Sequence, residues 1–302
     1  MKAKTFIISC LLIAGQGFAQ QNYWSKQKEN KAERGELKSR WVTPKTFSLY
    51  QLDLDKIKSD LKNAPQRFSK NESLVIKFPD SNGGVRDYIV QEASVMAPEL
   101  QAKFPEIRSY TGWEKGNPSN TIRFSLTPQT GISVMYFDGW DVSYLDSYTQ
   151  DKSSFILYKR KDLPKNDRLF ECHVEDMLDE NANISAQKKA PLVSDGQFRT
   201  YRLALAATGE YTTFHGGTAG AMSAMATTMT RVNGVYEKTI SATMVMVANN
   251  SLLIYTNGTT DPYTNNNGST MLGENISNVN NIIGSANYDI GHVFSTGGGG
   301  VA

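Results

Sequence analysis

The fold of the second half is decided by residues 198–207, which read Phe198-Arg199-Thr200-Tyr201-Arg202-Leu203-Ala204-Leu205-Ala206-Ala207. The first five residues mix polar and aromatic side chains, whereas the last five are all apolar. A strand that begins half exposed and ends inside the core of a sheet has this pattern. The stretch therefore predicts a strand that enters a buried sheet.

The residues after this strand show alternating helix and strand patterns. Apolar side chains recur mostly every three or four positions over residues 218–236 and again over 271–283, which predicts two amphipathic helices packed on a sheet. Residues 239–247, continuing through 252–255, are apolar and β-branched, and they predict one or two strands. Ile290–Phe294 predicts a last short strand. This order of elements is typical of an α/β fold.

The first half predicts a different architecture. Short β-type segments follow one another, with a short helix at 55–64, and turn-forming residues separate them. The predicted strands are 46–54, 74–78, 85–96, 121–126, 132–137, 142–148 and 153–158. This spacing predicts an antiparallel, β-rich domain. A boundary is expected near residue 198, because residues 199–302 hold only four of the 32 Lys and Arg and five of the 30 Asp and Glu.

The N-terminus has the pattern of a secretory signal peptide. Lys2 and Lys4 precede an apolar run at 6–14, and the small residues Gly17 and Ala19 suit cleavage after residue 19. The apolar run is shorter than the about 20 residues that a bilayer crossing needs. We therefore expect a signal peptide at 1–19, a secreted, extracellular product and no membrane span.

The two cysteines and a dibasic pair are the other processing signals. Removal of Cys10 with the signal peptide leaves Cys172 as the one cysteine of an exported chain, so it has no internal disulfide partner. Residues 179–195 are polar and include Lys188 and Lys189. Exposed linkers of this kind are where proteases cut. We expect an activation linker here, cut by an activating protease.

Composition argues against several other functions. A net charge of +2 and a pI near 8.3 do not indicate nucleic-acid binding. The glycine run at 297–300 does not match the dinucleotide-binding pattern. Oxygen donors that would suit Ca²⁺ occur close together, although an Asn-rich turn is the commoner explanation for them. These donors are Asp261, Asn265, Asn266 and Asn267.

Three stretches of the second half resemble a known family. They are residues 201–211 (YRLALAATGEY), residues 231–237 (RVNGVYE) and residues 287–294 (NYDIGHVF), which lead to the glycine run. Together they are similar to the opening half of the catalytic domain of the reprolysin-like zinc metallopeptidases exported by bacteria, in the metzincin clan. Residues 95–100 (VMAPEL), with Phe104 and Pro105, resemble the propeptide of that family.

The resemblance implies the secreted zymogen of an endopeptidase, whose intact form hydrolyses peptide bonds with zinc-activated water. It implies a signal peptide at 1–19, a β-rich propeptide domain at 20–190 with a linker to about 197, and the N-terminal part of an α/β catalytic domain at 198–302. The zinc motif H-E-x-x-H-x-x-G-x-x-H of metzincins is absent, since His173, His215 and His292 lie far apart. The zinc ligands and the glutamate base are expected beyond Ala302, and the 302 residues alone are expected to be an inactive fragment.

The resemblance also assigns candidate roles to residues of this chain. The last strand would be the substrate-side edge strand that pairs with peptide or protein substrates, although a plain edge strand with a half-exposed histidine is an equally simple interpretation. Cys172 would be a latency thiolate that binds zinc in the zymogen, or a buried structural cysteine. The alternative function is a non-catalytic secreted binding or adhesion module. The candidate edge-strand residues are Ile290, Gly291, His292, Val293 and Phe294.

Overall fold

The structure is a computed structural model, and it describes residues 22–28, 37–39, 42–70, 73–164 and 196–297. The predicted signal peptide, Cys172 and the Lys188–Lys189 pair lie outside these residues. Within the described ranges, no helix combines the length and the apolar character that a bilayer crossing requires.

The first region, up to residue 164, is built on one antiparallel sheet of nine strands. Seven consecutive strands form a meander, and the first two strands of the chain join it beside the last one, in the order β1-β2-β9-β8-β7-β6-β5-β4-β3. This confirms the predicted antiparallel, β-rich architecture. The strands are β1 (Trp24–Gln27), β2 (Ser48–Leu52), β3 (Leu74–Pro79), β4 (Val85–Glu92), β5 (Arg108–Glu114), β6 (Asn117–Thr127), β7 (Gly131–Asp138), β8 (Asp141–Ser147) and β9 (Ser154–Lys159).

The sheet curls until its two end strands meet. The Trp24 indole on β1 donates a hydrogen bond to the Lys77 carbonyl on β3 at 2.9 Å. Its ring also packs against Phe78 and Phe155, with centroids 6.1 Å and 5.7 Å away. Packing the Trp24 ring of one end strand against Phe78 of the other end strand favours this curl. Two short helices, α1 (Leu54–Leu61) and α2 (Pro98–Lys103), complete the first region.

The second region, residues 196–297, is a parallel sheet with helices on its two faces. The strand order is β11-β10-β12, and both pairings are parallel, as the alternating strand and helix pattern predicts. The helix α4 connects the first two of these strands and α5 precedes the third. The elements are β10 (Arg199–Ala207), α3 (Gly209–Phe214), α4 (Thr218–Ile240), β11 (Ala242–Met246), α5 (Gly268–Ile282) and β12 (Ile290–Phe294).

Alternate residues of β10 serve the two faces of this sheet. Leu203 and Leu205 lie in the hydrophobic cluster that contains Met225 of α4. Ala204 and the residues on its face lie in a second cluster with Val279 of α5. A strand whose side chains are buried on both faces has no polar alternation. This explains the continuous apolar run that ends β10.

One predicted strand is wrong. Residues 250–253 form a 3-10 turn, Asn250–Leu253, where the sequence predicted a strand over 252–255. The Asn250 side chain accepts a hydrogen bond from the Leu205 amide at 2.7 Å and donates one to the Leu205 carbonyl at 2.8 Å. A single buried amide side chain thus satisfies the β10 backbone at this point, where a strand residue would otherwise pair.

The two regions share one hydrophobic cluster. The cluster on the α4 face includes Val95, Met96, Leu100 and Ile107 of the first region. Those four residues are at most 3% exposed. The division into a domain at 20–190 and one at 198–302 stays a prediction, and the described residues of both pack into a common core.

Candidate functional site

The strand β12 lies at the end of the parallel sheet. It pairs with β10 in a register that sets Ile290 beside Leu203 and Phe294 beside Ala207. Among the residues that the structure describes, no strand pairs with its other side. Ile290, Gly291 and His292 are exposed, and the two residues after them are half-buried. The backbone of β12 is therefore open on one side in this part of the chain.

An ion pair fixes the start of β12 against β10. The Asp289 carboxylate accepts hydrogen bonds from the Arg202 amide at 2.7 Å and from Arg202 Nη2 at 2.8 Å. The Arg202 guanidinium also donates to the Ala286 carbonyl at 2.8 Å. The hydrogen bonds from Arg202 lower the pKa of Asp289. Because both residues belong to stretches that resemble the metallopeptidase family, this contact gives a structural reason for their presence.

A row of four rings lies beside the open strand. The His292 ring meets the Phe294 ring edge to face at 5.4 Å between centroids, and Phe294 lies 5.5 Å from Tyr211. Tyr211 in turn lies 4.4 Å from His215. Tyr211 and Phe294 pack against the cluster on the α4 face. The row gives the face of β12 an aromatic surface.

The titratable rings of this row all have a pKa shifted in the direction that favours the neutral form. Burial raises the pKa of Tyr211 well above its usual value. Although the residue as a whole is exposed, partial burial of its imidazole ring lowers the pKa of His292. The same effect lowers the pKa of His215, and the positive charge of Lys38 lowers it further. A neutral, largely aromatic surface suits apolar side chains better than charged ones.

The two described histidines do not fit a zinc site. The rings of Tyr211 and Phe294 separate His215 from His292 in the row. In the described ranges, no three His, Cys, Asp or Glu side chains come together as a metal-binding group. Zinc in proteins needs at least three such ligands around one point. His173 and Cys172 lie outside the described residues.

The oxygens considered for calcium are used as hydrogen-bond acceptors. Asp261 accepts from the Gly209 amide at 2.6 Å and from the Tyr263 amide at 3.0 Å. Asn267 caps the N-terminus of α5 by accepting from the Thr270 amide at 3.1 Å. These are the roles of an Asn-rich turn, and the structure gives no support for calcium here.

Asn265 ties the loop after β12 to the start of α3. Its side-chain oxygen accepts from the Thr208 hydroxyl at 2.9 Å and from the Thr296 amide at 3.2 Å. Its Nδ2 donates to the Thr296 hydroxyl at 2.9 Å, and its contact with Asn266 is a weaker one at 3.4 Å. The Asn-rich loop therefore positions the residues that flank the open strand.

Sequence reasoning missed Tyr211 and the helix that carries it. The Thr208 hydroxyl caps α3 by accepting from the Tyr211 amide at 3.2 Å. A threonine directly after a strand is a readable helix-start signal. No local signal identifies the contact between Tyr211 and Phe294, because these residues meet only through the pairing of β10 and β12.

The comparison with known families places this site in a recognised domain type. Residues 197–301 match the reprolysin-like model of metallopeptidase family M12B. This reprolysin-like region contains β12, the aromatic row and the whole parallel sheet, whereas residues 22–164 lie outside the match. No curated protein matches the chain. The resemblance of the second half therefore has independent support, and the first half is described by its structure alone.

Proposed function

We propose that this chain belongs to the zymogen of a secreted zinc-dependent endopeptidase. The observation that carries the proposal is the match of residues 197–301 to the reprolysin-like M12B family, whose members are typically zinc-dependent. The parallel sheet with helices on both faces supports it, since such a sheet presents functional groups at its strand ends. In this proposal the region supplies the scaffold and the substrate-side strand.

In the proposed enzyme, zinc supplies the activated water when it is bound. The described residues do not fit the metal, so we assign its histidine ligands and the glutamate base to sequence other than the residues described. The part that these residues play is to hold an extended peptide. The open backbone of β12 offers amide and carbonyl groups to a peptide strand, and alternate side chains meet the aromatic row.

The proposed enzyme is tested on the full-length gene product. We expect it to cleave internally quenched peptides, to lose activity with a zinc chelator and to regain it with added zinc. The 302-residue chain is the matched control, and it is expected to be inactive. A full-length product that neither cleaves peptides nor binds zinc would overturn the proposal and favour a secreted binding or adhesion module.

The role of β12 is tested by two single substitutions on opposite faces. Phe294→Ala removes a ring of the aromatic row, whereas Val293 belongs with the α5-face cluster. We expect Phe294→Ala to raise KM for peptides with apolar side chains, and Val293→Ala to change it little. Equal effects of the two variants on KM would count against substrate contact on this face.

The processing steps are proposals as well. We propose export through the signal peptide at 1–19 and cutting after Lys188 and Lys189 by an activating protease. Two interpretations of Cys172 stay open, a thiolate that blocks zinc in the zymogen and a structural cysteine. Cys172→Ala separates them, because only the first interpretation predicts peptide cleavage before the linker is cut.

A further inference from the structure

The helix α4 is covered on two sides. Met222 and Met225 belong to the cluster that it forms with the parallel sheet. Thr227 and Thr230 lie against the first region, where their hydroxyls are 3.0 Å from the Ser125 hydroxyl and 2.9 Å from the Ser109 hydroxyl. The helix therefore fills the space between the two sheets of the molecule.

Three residues of the stretch 231–237 contact the first region, and they are spaced about one helical turn apart on α4. Arg231 donates to the Ser133 hydroxyl at 2.7 Å and pairs with Asp146 of the first region. Gly234 lies so close to β6 that a Cβ there would be 2.9 Å from Arg123 Cγ. Residues spaced by three on a helix lie on one face. This part of the reprolysin-like match therefore faces residues outside the match.

Glu237, the third residue of this face, is held by two arginines. Its Oε1 lies 2.7 Å from Arg67 Nη1 and 3.2 Å from Arg123 Nη2. The side chains of Glu237 and Arg123 are 9% and 3% exposed. Arg67 also lies 4.7 Å from the ring of Phe198, at the start of the second region. Two positive charges and one negative charge are thus enclosed at the contact between the regions.

The backbone of the first region extends the parallel sheet. The Met246 amide of β11 donates to the Val95 carbonyl at 2.9 Å, and the Ala97 amide donates to the Met246 carbonyl at 2.8 Å. Residues 95–97 therefore pair with β11 on the side away from β10. Their neighbours Leu100 and Ile107 enter the same cluster as Leu205. The contact between the regions therefore combines apolar burial with backbone strand pairing.

We infer that the first region stays bound to the second after the chain between them is cut, so that the processed protein is a non-covalent complex of two pieces. Shared apolar burial supplies the attraction. The strand pairing and the Glu237 ion pairs fix the orientation. The inference goes beyond peptidase activity, and only the position of the natural cut, after Lys188 and Lys189, rests on the proposed function.

The experiment cuts the full 302-residue chain at an inserted site between residues 165 and 195. A denaturing gel verifies that cutting is complete, and size-exclusion chromatography at micromolar concentration follows. We expect both pieces in one peak, with the amide hydrogens of Ala97 and Met246 still protected from exchange. Two separate peaks, or loss of that protection after cutting, would overturn the inference.

Two interface variants and one control test whether these contacts hold the pieces together. Met96→Asp places a charge in the shared cluster, and Glu237→Gln leaves two arginines without their carboxylate. Asp289→Asn removes an ion pair inside the second region and is the matched control. We expect both interface variants to weaken association of the cut pieces by about 30-fold or more.

Association of the pieces is measured without an activity assay, so the outcome does not depend on the proposed peptidase activity. Glu237→Gln is expected to fold even if Met96→Asp does not, because it keeps the size of the side chain. If the cut Glu237→Gln and Asp289→Asn proteins bind their pieces equally tightly, the assignment of the interface to these contacts is wrong.

Discussion

The backbone of Gly209 runs against the backbone of Gly258 at the start of α3. A Cβ on Gly209 would lie 2.1 Å from the Gly258 nitrogen, and a Cβ on Gly258 would lie 2.4 Å from the carboxyl carbon of Glu210. Neither glycine has room for a methyl group at its Cα. The contact joins the strand β10 to the Asn-rich loop that flanks β12.

Gly209→Ala is therefore expected to destabilise the protein by about 1–3 kcal/mol, because backbone atoms have to move to admit the methyl group. Gly273→Ala is the matched control, since Gly273 lies exposed in α5 with nothing within 4 Å of a Cβ. That change is expected to stabilise by about 0.4–1 kcal/mol. Urea unfolding measures both, and equal effects would contradict the close approach.

Glu237→Gln is expected to lower the free energy of unfolding of the uncut chain by about 3–5 kcal/mol, because it leaves Arg123 buried without its carboxylate. Burial already lowers the pKa of Arg123 to about 10, and Glu237 opposes that shift. Asp289→Asn, which breaks an exposed pair, is expected to change stability little. Guanidinium unfolding followed by tryptophan fluorescence compares the two variants.

Met225→Ala is expected to lower the free energy of unfolding by about 2–5 kcal/mol, because Met225 is fully buried between α4 and the parallel sheet. Met225→Leu keeps the volume and is expected to cost less than about 1.5 kcal/mol. Thermal unfolding of the two variants measures the difference. A small effect of the alanine variant would show that this part of the shared core is loosely packed.

Asp80→Asn is expected to destabilise the first region in a pH-dependent way. Burial raises the pKa of Asp80, but hydrogen bonds from the Asn82 and Gly84 amides and from Arg86 outweigh it, so the pKa is lowered. A carboxyl with a lowered pKa stabilises the fold above its unfolded value of about 3.9 and loses that contribution as pH falls through the folded value.

The difference in unfolding free energy between the wild type and Asp80→Asn should thus be full at pH 6–7 and shrink toward strongly acidic pH. Urea unfolding over a pH series measures it. Asp141→Asn, an exposed carboxyl on β8, is the control. A difference that does not change with pH would mean that the charge of Asp80 does not contribute.

Much of the second region could be predicted from apolar spacing. The predicted helix at 218–236 is α4 with four more residues at its end, and Ile290–Phe294 has the predicted bounds. These elements bury continuous or periodic apolar surface, which a sequence displays directly. The face of α4 that carries Thr230 and Gly234 gave no such signal, because small and polar residues pack there against strands of the first region.

Two strands of the first region, β1 and β5, were not predicted for the same reason. The strand β1 lies in a polar stretch, and its place in the sheet depends on pairing with β2 and on the contacts of Trp24. The strand β5 alternates imperfectly, since both Ser109 and Tyr110 are buried. Such elements are set by tertiary contacts that a local pattern does not contain. The candidate site follows this rule, because its edge strand was predicted and its ring contacts were not.

Residues 95–97 have a consequence for how the parallel sheet accepts additional strands. They pair with the side of β11 that faces away from β10, so the polypeptide itself covers this edge of the sheet. In the part of the chain described, growth of the sheet is thereby directed to the opposite flank. An added strand, whether it comes from this polypeptide or from a bound peptide, would pair with β12.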